Sequence, residues 1–254
     1  MERAAKKFAY GLFYLIIFFG IVFAVYKNKF EPKETCFDGA QNQTEEGIDC
    51  GGPCVACRVL QLKNPEAKGE VKIFSVSAGK IVLFSEIINP NADYGIERFN
   101  YYFRIYGEGN ELLDSISGES GLFPNESKFL YSAETKSERG KVQKVVLEFT
   151  EAKWRPAYDF VKLESPVTQN LTTETVDELI KVSGMVRNSG PLNIENLNLI
   201  AVLYNKFGIE IFAAQTFLSD LPGFSEKSFE VNFPKDLELA EKTDKERTRV
   251  FVNF

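Results

Sequence analysis

A chain of 254 residues with 44% hydrophobic and 26% charged residues is long enough for one or two globular domains with appended segments. Its net charge of −6 provides no basic surface to neutralise phosphates, which argues against nucleic-acid binding. The lack of any histidine removes the commonest general base and the commonest metal ligand.

The first element is FAYGLFYLIIFFGIVFAVY, Phe8 to Tyr26, 19 residues without a charge. As a helix it spans about 28 Å, close to the roughly 30 Å of a bilayer's hydrocarbon core. Tyr10, Tyr14 and Tyr26 lie towards its ends, and Lys6, Lys7, Lys27 and Lys29 flank it. Two readings stand, a retained anchor and a cleaved signal peptide with Val22-Phe23-Ala24 as its cleavage site. The length of the apolar run favours the anchor. Lysines and arginines tie on the two sides, so orientation rests on the short leading segment. The expectation is a cytoplasmic tail over 1–7, an anchor over 8–26 and a linker over 27–35, with everything beyond outside the cytoplasm. The localisation expected is the cell membrane, single-pass.

Next comes CFDGAQNQTEEGIDCGGPCVAC, 36–57, which holds every cysteine: Cys36, Cys50, Cys54 and Cys57. Outside the cytoplasm they should pair as two disulfides, and sequence leaves all three connectivities open. A zinc site would prefer two closely spaced cysteine pairs, and a redox Cys-x-x-Cys would open a helix of a βαβ unit; the stretch fits neither well. Asp38, Asn42, Glu45 and Asp49 offer four hard oxygen donors, so calcium is one candidate ligand, set against simple turn hydrogen bonds. No other cofactor is expected. The stretch resembles a cysteine-rich module of exported proteins, C-x-D-G-x-x-N-x-x-E-x-x-x-D-C-G-G-x-C-x-x-C. It matches at Cys36, Asp38, Gly39, Asn42, Glu45, Asp49, Cys50, Gly51, Gly52, Cys54 and Cys57.

Beyond residue 70 the chain repeats itself at an offset of 98. Ser85, Ile96, Glu97, Asn100, Tyr106, Pro124 and Ser127 recur as Ser183, Ile194, Glu195, Asn198, Tyr204, Pro222 and Ser225. Phe99, Tyr101, Phe103 and Ile105 alternate with Asn100, Tyr102 and Arg104. Leu197, Leu199, Ala201 and Leu203 repeat that spacing, which predicts half-buried strands. Further strands are expected at VKIFSV, KIVLFSEII, KFLYSAE, KVVLEF, DFVKLES, LIKVSGMV, GIEIFAAQ, SFEVNF and TRVFVNF, separated by turn residues. FRIYG (103–107) and AVLYN (201–205) resemble the signature of FxLYD-type immunoglobulin-like domains. INPNADYG is similar to the N-P-N segment of late-embryogenesis-abundant and water-stress domains. The resemblance implies an exported, often membrane-anchored protein.

The expected fold is therefore all-β: two tandem immunoglobulin-like β-sandwiches, 58–152 and 153–254, after a single transmembrane helix and a disulfide-rich segment. Trp154 is expected to pack between the two domains. Three glycosylation sequons begin at Asn42, Asn125 and Asn170. No nucleophile–base pair stands out, so the chain reads as a non-enzyme. The function expected is display of the tandem domains for protein binding or envelope assembly. Its partners are the membrane through Phe8–Tyr26 and another envelope or surface protein, with no nucleic acid. A stress- or solvation-protective role and a thiol-redox or zinc role of the cysteine cluster are the alternatives.

Overall fold

The computed structural model describes residues 2–29, 35–42, 44–76, 79–133, 135–161 and 164–254, and forms two compact units, Met1–Leu62 and Lys63–Phe254. The expected linker at 27–35 and the sequon residue Gln43 lie partly or wholly outside the described residues, as does part of DFVKLES. The first unit begins with helix α1, Glu2–Lys29, within which Lys7–Lys27 is long and apolar enough to cross a membrane. Every described side chain from Lys7 to Lys27 is exposed. An apolar helix without protein cover needs lipid or a partner to satisfy it. The disulfide-bonded module follows.

The second unit is built mainly of β-strands, and its two repeats have one topology. In the first, β1 (Glu66–Ala67) and β2 (Lys72–Ser75) pair in succession along one side of β3 (Ile81–Ile88). β4 (Tyr94–Tyr106) lies between β5 (Leu112–Leu122) and β7 (Lys144–Pro156), while β6 (Ser127–Ser132) takes the free side of β3. In the second repeat, β9 (Leu179–Arg187) lies between β8 (Val167–Val176) and β12 (Glu226–Asn232). β10 (Ile194–Tyr204) lies between β11 (Glu210–Leu221) and β13 (Arg249–Asn253). All these pairings are antiparallel. A shift of 98 residues carries β3 onto β9, β4 onto β10, β5 onto β11 and β6 onto β12, to within about two residues. Short helix α2, Leu237–Lys242, precedes β13 and is capped by the Asp236 carboxylate, which accepts from Leu239 N–H.

The two sheets of the first repeat share one apolar core: Ile81, Leu83 and Ile87 from β3 meet Ile96, Phe99, Phe103 and Ile105 from β4. The core of the second repeat does not stop at its own sheets. Phe74, Val82 and Phe84 of the first repeat join Ile180, Val182, Leu199, Ile200 and Val202 in a single buried cluster. Strand β3 opens on four apolar residues in a row because both its faces are covered there: Ile81 and Leu83 face their own core, Val82 and Phe84 the second repeat. Phe74 stacks on Phe212 at 5.7 Å and Phe129 lies 4.0 Å from Phe251, ring to ring. Lys72 pairs with Glu210 at 3.3 Å across the same junction.

Three expectations change here. β10 is not half-buried: Leu199, Ile200, Ala201, Val202 and Leu203 are all fully enclosed, since the first repeat covers the face that would have met water. The boundary placed between 152 and 153 falls inside β7, which continues to Pro156, and the repeats share a core instead of parting at a linker. Trp154 does not lie between the repeats. It pairs with Ile96 in β7 and packs against the first repeat's own core.

At one end of each repeat a buried asparagine ties the loops together. Asn89 donates to Tyr94 O and Phe123 O and accepts from Asn91 N–H. Asn188 donates to Leu192 O, Leu221 O and Pro222 O and accepts from Gly190 N–H. Both asparagines are enclosed, at 0% and 1% exposure, and each replaces backbone pairing that the turns cannot supply. Asn188→Ala is expected to destabilise the second unit by about 2–3 kcal/mol, because the carbonyls it leaves unpaired are buried. Urea denaturation, with an unchanged slope and a lower midpoint, is the check.

Candidate functional site

Two places concentrate polar chemistry: the cysteine module and the seam between the repeats. In the module, Cys36 is bonded to Cys54 and Cys50 to Cys57. The remaining motif residues hold the turns between these bonds. Asp38 accepts from Thr35 N–H, Ala40 N–H and the Asn42 amide. The Asn42 amide and then the two backbone N–H groups hold its carboxyl below the usual carboxylate range. Asp49 accepts from the N–H groups of Asp38 and Gly39 at 3.0 and 3.1 Å. Gly51 and Gly52 both have positive φ, and a Cβ at either would fall within 3 Å of Glu46 or of the Thr44 carbonyl. The two glycines of the motif thus sit in a tight reversal that leaves no room for a side chain.

Of the four oxygen donors considered for calcium, three accept hydrogen bonds: Asp38 and Asp49 face N–H donors, and one Glu45 oxygen accepts from Asn42 N–H at 3.1 Å. The fourth, Asn42 Oδ1, is buried without a hydrogen-bond partner among the described residues. Among the described residues, Cys36, Glu45 and Cys54 form the tight group of ligand-type atoms, and both sulfurs are committed to the disulfide bond. Glu45 is the residue whose role the sequence hid. It is buried, at 7% exposure, and its second carboxylate oxygen lies 3.0 Å from Cys54 Sγ. A disulfide sulfur has no proton to donate, so this contact is not a hydrogen bond given by sulfur. Of the sequon asparagines, Asn125 and Asn170 are exposed, whereas the Asn42 amide is engaged with Asp38.

The seam between the repeats was not legible as a site. A polar groove of about 770 Å³ runs along it, lined by Glu86, Tyr204, Glu210, Thr248 and Arg249. Burial raises the Tyr204 phenol, and the neighbouring Glu210 carboxylate adds to the shift. At the end of the seam Asn253 acts as a side-chain strand: its amide donates to Phe129 O at 2.6 Å and accepts from Phe129 N–H. Lys128 donates to Gly121 O and Phe254 O. Burial holds its ammonium below the usual lysine range, and raises the nearby Glu126 carboxyl. Glu126 also opens onto a smaller cavity of about 330 Å³ beside Phe123, Phe160 and Phe254.

Tyr131 lies on the seam face of β6, and burial pushes its phenol up to about 12. A raised pKa adds stability that is complete below the unfolded value near 10 and is lost as pH rises through about 12. Tyr131→Phe is therefore expected to remove about 2–3 kcal/mol of alkaline destabilisation between pH 10 and 12. Parallel melting curves of the two proteins over that range make the check.

No protein-family model matches the chain, and no curated protein matches it.

Proposed function

We propose that this chain is a membrane-anchored display protein outside the cytoplasm. Helix α1 holds a disulfide-stapled neck and two immunoglobulin-like β-sandwiches that bind a protein partner or take part in envelope assembly, without catalysis. One observation carries the reading: the repeats are fused through an apolar seam while their outermost sheets are polar. On the first repeat Arg104 pairs with Glu148 and its guanidinium lies over Tyr102. On the second, Lys181 pairs with Glu230 at 2.8 Å and Arg187 faces Glu226. A rigid body with solvated faces and free strand edges suits β-strand addition by a partner. The disulfide bonds fit an oxidising compartment.

The test is the mass of protein extracted from intact membranes under rapid alkylation, with external protease applied to sealed cells beforehand. The reading expects full-length protein with no alkylated cysteine and loss of 63–254 to protease. Four alkylated cysteines and full protection would place the bulk inside and sink it.

A further inference from the structure

The two disulfide bonds are not equivalent. Cys50 is buried, and the backbone at Gly47 lies so close over the Cys50–Cys57 bond that a Cβ there would be 3.0 Å from Cys50 Sγ and 3.3 Å from Cys57 Sγ. Gly47 also bridges Cys50 main chain to main chain. That bond is shielded by the chain it staples. Cys36, Cys54 and Cys57 are all half-buried, so Cys50 is the buried sulfur of the four, and Phe37 beside Cys36 is almost wholly exposed. The Cys36–Cys54 bond is the one that also has a buried carboxylate against it, through Glu45 and Cys54 Sγ.

This carboxylate has no structural need to touch sulfur. Its other oxygen already holds the turn by accepting from Asn42 N–H, and its main-chain carbonyl accepts from the Gln41 amide. Among the described residues the oxygen facing Cys54 has no N–H donor and no basic side chain against it; its neighbour is the sulfur that would carry a proton once the bond opened. Thiol–disulfide exchange needs such a partner. The leaving sulfur must be protonated in one direction and the attacking thiol deprotonated in the other.

We propose that Cys36–Cys54 is an exchange-active disulfide whose proton is handled by Glu45, while Cys50–Cys57 is a permanent staple. The co-reactant is a dithiol. One of its thiolates attacks Cys36 Sγ and the Cys36–Cys54 bond breaks. The electron pair goes to Cys54 Sγ, and that sulfur takes the proton from the Glu45 carboxyl. The second thiol of the dithiol, deprotonated by water, attacks the mixed disulfide. Cys36 leaves as a thiolate that is protonated from solvent, and the dithiol departs as its own disulfide. In reverse, Glu45 carboxylate takes the proton of Cys54 Sγ–H, and the new thiolate attacks Cys36 in the mixed disulfide, expelling the external thiolate. The inference goes beyond display: it makes the neck a point at which the module can be opened by a thiol donor.

The experiment uses the full chain in detergent micelles with dithiothreitol as the dithiol. Samples are alkylated at intervals, and peptide masses show which cysteines are free, across pH 5 to 8. The expected result is alkylation of Cys36 and Cys54 well before Cys50 and Cys57. Glu45→Gln, which keeps an oxygen for Asn42 N–H, should slow that first opening at least about tenfold once corrected for dithiothreitol thiolate. Asp49→Asn serves as the control, since Asp49 holds the adjoining turn at Asp38 and Gly39 without touching sulfur, and should leave the rate unchanged. Opening of Cys50–Cys57 first, equal rates for wild type and Glu45→Gln, or equal effects of the two substitutions would each overturn the proposal.

Discussion

Phe84→Ala is expected to destabilise the second unit by about 3–5 kcal/mol and to split its single unfolding transition into two. Phe84 is 3% exposed, stacks on Phe129 at 5.2 Å and lies near Phe74, so truncation removes a large buried ring from the shared cluster. The splitting follows from where the ring points. Leu83, its neighbour in β3, belongs to the first repeat's own core, whereas Phe84 belongs to the core shared with the second. Losing it weakens the coupling between the repeats more than either repeat alone. Leu83→Ala, by contrast, should cost about 2–5 kcal/mol while leaving unfolding cooperative. Calorimetry of both variants separates the two: a single transition for Phe84→Ala would mean that the repeats stay coupled without this ring.

Removing both members of a disulfide bond, as Cys50→Ala with Cys57→Ala, is expected to unfold the module between Thr35 and Leu62 and leave the second unit intact. Among the described residues of that stretch Cys50 itself is the one buried apolar side chain, so no core remains once the staple is gone. Chain-entropy reasoning gives each bond about 2–3 kcal/mol, which is of the same size as the whole stability a segment this short can have. Hydrogen exchange should show amides such as Gly51, bonded to Val55 O at 2.7 Å, losing protection, with Leu83 and Leu199 unchanged. Retained protection at Gly51 would show that the turns stand without the bond.

Much of this architecture could be read from residue order. Alternation located β4 and β10, and the 98-residue offset placed equivalent strands because both copies kept their turn lengths. β5 and β8 escaped notice. LLDSISGESGL and VTQNLTTETV are edge strands with one neighbour each, rich in serine, threonine and glycine; pairing with β4 and β9 makes them strands, not their composition. The seam was missed for a related reason. Ile200 and Val202 sit where the first repeat has Tyr102 and Arg104, a difference visible in the sequence that gains meaning only when the covering surface is known. In the module, the cysteines announced a staple by compartment chemistry. Glu45 looked like any solvated acid until the fold turned it inwards against Cys54.

The seam joins unlike faces. The sheet of β3 in the first repeat meets the sheet of β10 in the second, a head-to-tail contact that a third copy could in principle continue in either direction. The two faces that would receive such a copy are the sheet of β4 and the sheet of β9, and these have Arg104, Glu148, Lys181 and Glu230 where their counterparts have apolar residues. Charge on both outer sheets makes them unlike the two faces that meet at the seam, much as polar end-caps differ from the stacked faces of a solenoid. Burying them against another copy of the same seam would cost the desolvation of those charges.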